Sequence, residues 1–196
     1  MLRGREFIRV QIGDAVNGYF AHETDGSRIG AQEVIDLRPD AARKRLRECK
    51  SQPEACEAIR EIVSNLLGCE EMAVYRFGGK HPGISLVWSF GIEPRVYAAK
   101  DLFNPPDLAR VMAGEIYVDE ESIRADAADR RKKVSAAVPI QFQGKTAAAL
   151  TLFRLLPQKT KIDQCDRELF AVVSAEAGQP LFGKHGSVPG KREGKR

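Results

Sequence analysis

The chain of 196 residues is 43% hydrophobic and 30% charged, with a formal net charge of +4. That balance supports one domain of ordinary size with a real core, and it excludes a disordered or collagen-like chain. Residues 183–196 hold Lys184, Lys191, Arg192, Lys195 and Arg196 against Glu193, which accounts for the whole excess; the body is neutral, so the basic balance does not describe a folded nucleic-acid-binding face.

Residues 6–12 alternate, with Ile8, Val10 and Ile12 on one face, Arg9 and Gln11 on the other, and Gly13-Asp14 as the turn into a second strand over 16–22. This predicts a hairpin. Residues 30–37 carry Ala31, Val34 and Ile35 at helical spacing. Pro39 starts a second helix over 40–50, made basic by Arg43, Lys44, Arg45, Arg47 and Lys50, which reads as a solvated face rather than an anion site. Ser51 is an N-cap, with Pro53 and Glu54 in the first turn. Ala55, Ile59, Ile62, Val63, Leu66 and Leu67 then repeat at helical spacing up to the left-handed cap Gly68.

A strand-rich block follows. Residues 72–77 are short and apolar. Residues 83–92 alternate strictly, with Ile84, Leu86, Trp88, Phe90 and Ile92 on one face and the smaller Ser85, Val87, Ser89 and Gly91 on the other. Asn104-Pro105-Pro106-Asp107 opens a short helix ended by Gly114, and 115–118 is extended. Residues 119–133 read as a charged loop with a helical turn. Residues 134–142 and 146–154 form a hairpin around 143–145. Asp163 caps a closing helix reaching 182, with Leu169, Phe170, Val172, Val173 and Leu181 on its apolar side. The Gly/Lys/Arg tail after it cannot bury a core and is expected to be disordered.

The order helix, strand, strand, short helix, strand, loop, strand, strand, helix over 51–182 resembles the GAF family, relatives of PAS domains. Three stretches carry the likeness: LARVMAGEIYVD at 108–119, SAAVPIQFQG at 135–144, and AALTLF at 148–153 followed by the closing helix. The resemblance implies an α+β fold, a central antiparallel sheet of five or six strands with long helices on one face. It divides the chain into an N-terminal extension (1–50, hairpin plus basic helix), a GAF-like domain (51–182) and a basic tail (183–196).

The chain departs from the family's ligand-binding branches. It lacks the Asn-Lys-Phe-Asp-Glu signature of cyclic-nucleotide binders. No cysteine sits in a bilin-attachment context, and His81 before Pro82 makes a poor haem ligand. Cys49, Cys56, Cys69 and Cys165 show no CxxC spacing, and His22, His81 and His185 lie far apart, so no zinc site is expected and the thiols read as free. No cofactor or metal is expected.

The resemblance therefore implies a non-catalytic sensor or adaptor in bacterial signalling, binding a small ligand or a protein partner. The chain has no apolar run of about 18 residues and no secretion signal, so it is expected in the cytoplasm. With no kinase, cyclase or DNA-binding segment fused to it, its output is expected to pass through a protein partner. One alternative is free methionine-(R)-sulfoxide reduction, with Cys69 as an exposed thiol after Gly68. Another is nucleic-acid binding through residues 130–133 (Arg-Arg-Lys-Lys) and the tail. The binding surface is expected on the sheet face opposite the long helices, beneath 102–133, with Trp88, Phe90, Arg110 and Tyr117 at it. Self-association as a homodimer is expected through the helices 54–67 and 163–182, the latter through Leu169 and Val173.

Overall fold

The computed structural model of the chain describes residues 6–12, 15–22, 38–78, 83–97, 102–124, 133–157 and 159–183. The expected helix over 30–37, most of the basic run at 130–133 and the tail after 183 lie outside the described residues. The opening hairpin forms: β1 (Glu6–Ile12) pairs antiparallel with β2 (Ala15–His22), Ile8 facing Phe20 across the ladder.

Helix α1 (Arg38–Arg47) begins at the proline signal. Its cations are matched by carboxylates. Arg45 meets Glu61 at 2.7 Å, Arg47 meets Glu176 at 2.7 Å, and Arg43 meets Asp40 at 2.8 Å and Glu176 at 3.6 Å. Helix α2 (Gln52–Ile62) is capped by Ser51, whose hydroxyl accepts from the Glu54 amide. It continues as a wider π-helical turn, Val63–Leu67, before Gly68 at φ 74° stops it. Strands β3 (Cys69–Phe77) and β4 (Ile84–Phe90) follow, then α3 (Pro105–Met112), β5 (Tyr117–Val118), α4 (Glu120–Arg124), β6 (Ala136–Phe142), β7 (Lys145–Leu155), α5 (Gln164–Glu176) and α6 (Gly178–Phe182).

The five strands β3–β7 form one antiparallel sheet in the order β4-β3-β7-β6-β5. The β6–β7 turn needs two left-handed residues, Gln143 (φ 51°) and Gly144 (φ 74°), whose twist matches that of the strands. Both sheet faces are covered, so β3 is buried without a break from Met72 to Tyr75. On one face Met72, Val74, Ala136, Val138, Ile140, Leu150 and Leu152 meet α1, α2, α5 and α6 in the main core. On the other, Ala73, Tyr75, Ala137, Ala149 and Phe153 meet Val111 of α3 and Tyr97 in a smaller core.

Three expectations are corrected. The boundary after residue 50 cuts through the main core, because Ala42 and Leu46 of α1 are 1% and 0% exposed inside it. The closing helix is two helices, broken at Ala177, because Gly178 rides on β6: a Cβ there would stand 1.9 Å from the Gln141 carbonyl oxygen. The single bulky face of 84–92 does not exist. The β3–β4 register shifts between Val74 (facing Trp88) and Tyr75 (facing Leu86). That extra residue is a β-bulge, which inverts the alternation beyond it. Ile84 therefore joins the smaller core, while Val87 and Trp88 both pack against the main one.

Candidate functional site

The smaller core lies on the sheet face opposite the long helices. Register builds its floor: Ala73 on β3 faces Thr151 on β7, which faces Ala137 on β6. Directly opposed residues share a face, so a row of small side chains crosses three central strands. Ala149 and Phe153 flank Thr151 along β7 on the same face.

Thr151 is 0% exposed, and its hydroxyl has no hydrogen-bond partner among the described residues. An unsatisfied buried hydroxyl costs about 1–3 kcal/mol, so its presence in a floor of alanines demands a reason. Two other side-chain atoms share that condition, and one of them, on Asp166, lies among cations. The Ser64 hydroxyl is buried in the π-helical turn, on a residue otherwise half-exposed, and it has no partner among the described residues either. The Asp166 Oδ1 oxygen lies 3.7 Å from the Arg38 guanidinium, while Oδ2 of the same carboxylate lies 2.6 Å from the Lys159 ammonium.

The roof has two parts. Helix α3 is started by Asn104, whose side chain accepts from the Asp107 amide at 2.9 Å, and it lays Val111 into the core at 0% exposed. Gly114 (φ 97°) ends it beside the Gln141 amide and Thr146 hydroxyl, which are bonded at 3.0 Å. The second part is the segment 91–97, which brings in Tyr97. The Tyr75 hydroxyl donates to the Tyr97 carbonyl at 2.8 Å, and the Tyr97 hydroxyl donates to the Glu71 carboxylate at 3.4 Å. The Tyr97 ring lies 4.6 Å from Phe153, tilted by 58°. Burial raises the Tyr75 phenol's pKa, so it stays a neutral donor. Behind this layer the Ser135 hydroxyl donates to the Phe153 carbonyl at 2.9 Å.

The residues expected at one site divide between two faces. Tyr117 belongs to the smaller core. Its phenol is pushed up to about 12, first by burial and then by the charge of Asp107. Arg110 is exposed on α3 and bound to Glu115 at 2.9 Å. Trp88 and Phe90 are across the sheet. Trp88 packs on the main core, and Phe90, 37% exposed, lies 5.3 Å beneath the Arg60 guanidinium of α2. The bulge is the reason for the separation.

Leu169 and Val173, expected at a dimer surface, are each 1% exposed and point into the main core of their own chain. The thiol expected to be exposed, Cys69, is 0% exposed, and burial pushes it up to about 12, far from a reactive thiolate. None of the four cysteines is in a disulfide. Among the described residues no group of three His, Cys, Asp or Glu side chains could hold a metal, and no helix is long and apolar enough to cross a membrane.

Thr151, Tyr75, Tyr97 and Phe153 are the residues that sequence reasoning missed. A signal existed: in AALTLF a lone hydroxyl stands in an apolar strand, at the parity of one alanine and the phenylalanine.

No family profile matches the sequence. No curated protein matches it. Solved structures do. The GAF domain of an Acinetobacter phosphoenolpyruvate-protein phosphotransferase superposes with a TM-score of 0.55 at 13% identity, covering 75% of this chain and 94% of that one. A methyl-accepting chemotaxis protein fragment matches more loosely, with a TM-score of 0.47 at 15% identity, covering 74% of this chain and 96% of that one. The architecture is thus that of a GAF domain, an α+β fold, and at this identity the likeness concerns the fold alone.

Proposed function

We propose that this chain is a non-catalytic sensor module of GAF fold, acting in the cytoplasm in bacterial signalling, whose ligand site is the sheet face opposite the long helices. One observation carries the reading: the Thr151 hydroxyl is fully buried, without a partner among the described residues, and set in a floor of alanines beneath a roof of α3 and Tyr97. A ligand that bonds this hydroxyl would remove its cost, a gain available only in the bound state. Residues 38–182 form the sensing unit. The hairpin at 6–22 and the basic tail are additions to it. The buried Cys69 speaks against reductase chemistry, and the ion pairs of α1 against an anion site on that helix.

Native mass spectrometry of the protein purified from its own host tests the proposal. A bound small molecule that stabilises the chain on re-addition is expected. A bare chain whose melting temperature no host extract moves would sink it.

A protein partner has its own supporting observation. Residues 83–92 carry no charge, β4 is an outer strand, and Leu86 and Phe90 on it are each 37% exposed. Apolar side chains on an uncharged edge mark a contact surface. Replacing Phe90 by Ala is expected to weaken a partner while leaving ligand affinity unchanged; equal partner binding by the variant would remove this edge from consideration.

A further inference from the structure

The ligand site already contains a tenant. Within residues 91–97 only Tyr97 is buried, at 8% exposed; Gly91 and 93–96 are exposed and Ile92 is half-buried. Its ring occupies the space against Phe153. Phe153 is two residues from Thr151 along β7, and Tyr75, which bonds the Tyr97 carbonyl, is two residues from the Ala73 that faces Thr151. A phenol carried on an exposed strap is thus seated against residues that flank the unsatisfied hydroxyl on its own strand and on the next. Apart from Thr151 the buried side chains lining this core are aliphatic or aromatic; the charges at its Tyr97 end are Glu71, which accepts from the Tyr97 hydroxyl, and Arg154, which is already paired with Glu70 and Glu71. An anionic ligand placed there would meet the Glu71 carboxylate and find no free counter-ion, which is strongly unfavourable.

Resting on the reading of this face as the ligand site, we infer that it takes an uncharged, phenol-sized aromatic molecule that displaces the Tyr97 side chain and accepts a hydrogen bond from the Thr151 hydroxyl. The ligand's ring takes over the Phe153 contact. The Tyr75 hydroxyl, released from the Tyr97 carbonyl, becomes a second donor. Within the described residues 91–97 only Tyr97 and, in part, Ile92 hold the strap to the core, so little apolar surface there opposes its opening. Its release upon binding is the conformational output: ligand and Tyr97 compete for one space, so occupancy shifts the strap outward.

The test titrates the full chain with p-cresol, which is the tyrosine side chain alone, and with p-toluate, the same ring bearing a carboxylate. Affinity is read by calorimetry, and location by the NMR methyl signals of Ala73, Ala137 and Ala149. p-Cresol is expected to shift these three signals and to bind at least about tenfold more tightly than p-toluate, reflecting the missing counter-ion. Thr151→Val, nearly the same shape, is expected to weaken p-cresol about tenfold through loss of one hydrogen bond. Tyr97→Ala is expected to tighten it about tenfold or more by vacating the space, and Tyr97→Phe, which keeps the ring but loses the Glu71 bond, by a smaller factor. Equal p-cresol affinity in the native chain and Thr151→Val, or p-toluate binding as tightly as p-cresol, would overturn the inference. If p-toluate shifts the three alanine signals and p-cresol does not, the site stands and the ligand class falls. If neither probe nor any compound from the host shifts them, the reading of this face falls as well.

Discussion

Replacing Gly178 by Ala tests how closely α6 rides on the sheet. A Cβ at this position would lie 1.9 Å from the Gln141 carbonyl oxygen, 2.8 Å from the carbonyl carbon and 3.1 Å from the Phe142 Cβ. Real Cβ contacts stay beyond 3.0 Å, so α6 and β6 must separate by about 1.1 Å, and the obstacle is backbone that cannot rotate away. The displaced helix carries Leu181, 3% exposed, and Phe182, whose ring sits 6.0 Å from Phe142. Gly178 does not have a left-handed φ, so alanine meets no conformational penalty there. In an open helix the same change would stabilise by about 0.5–1 kcal/mol. Overpacking of this kind costs about 1–3 kcal/mol, which for a domain of this size lowers the melting temperature by about 2–10 °C. Urea and thermal unfolding of Gly178→Ala against the native chain measure it. An unchanged or raised melting temperature would refute the close approach, because helix propensity would then have prevailed over the clash.

Other outcomes follow from the same geometry. At pH 8 an alkylating reagent should label the half-buried Cys49 and Cys165 in the folded protein and spare Cys69 and Cys56, which burial pushes up to about 12 and about 11; rapid labelling of Cys69 before unfolding would contradict its placement. Leu169→Ala should destabilise the monomer by about 2–5 kcal/mol as a core truncation, and sedimentation should show no change in oligomeric state; a selective loss of a dimer would restore the helix-pairing reading. Asp163→Ala removes a capping box in which the side chain accepts from the Asp166 amide, so about 1 kcal/mol of stability should go. Burial would raise the carboxyls of Asp119 and Asp163. Hydrogen bonds outweigh it in both and hold them low: the Ser122 hydroxyl and amide on Asp119, the Asp166 amide with the Lys159 charge on Asp163. A folded-state value below the unfolded one stabilises the protein above the unfolded value and is lost as pH falls through the folded one. The urea midpoint should therefore drop below about pH 4, and a midpoint flat down to pH 3 would refute the assignment.

Much of the fold was legible because its punctuation is local. Ser51, Asn104 and Asp163 each accept from an amide three residues on, and such caps depend only on nearby sequence. Gly68 and Gly144 sit at the left-handed positions their surroundings demanded. The faces of β4 were a different matter. Strict alternation over 83–92 assigns one face only if no residue is inserted, and the bulge at Val87-Trp88 leaves no mark on hydrophobicity because both residues are apolar. Trp88 and Phe90 accordingly went to the wrong side of the sheet. Helix α1 was misplaced for a related reason. Its many arginines describe the outward face, while its membership of the core rests on Ala42 and Leu46, two residues too few to set a pattern against five cations.

The two layers of this sheet differ in what surrounds their unsatisfied polar atoms: ion pairs and a helical turn in one, alanines and a single covering ring in the other. In the helix layer the buried Asp166 carboxylate is met by Lys159 and Arg38, and cations of α1 find Glu61 and Glu176, although Asp166 Oδ1 and the Ser64 hydroxyl have no hydrogen-bond partner there among the described residues. In the opposite layer a threonine hydroxyl is buried with no partner, and its neighbour Phe153 is covered by a tyrosine from an exposed strap. Local rules agree with one another throughout a part of a protein that only has to hold together; where one is broken without local compensation, a binding role is the first explanation to test. An isosteric valine would fill the position of Thr151 without the desolvation cost. On the proposed reading the hydroxyl is bonded in a state other than the closed one, with Tyr97 withdrawn and another molecule in its place.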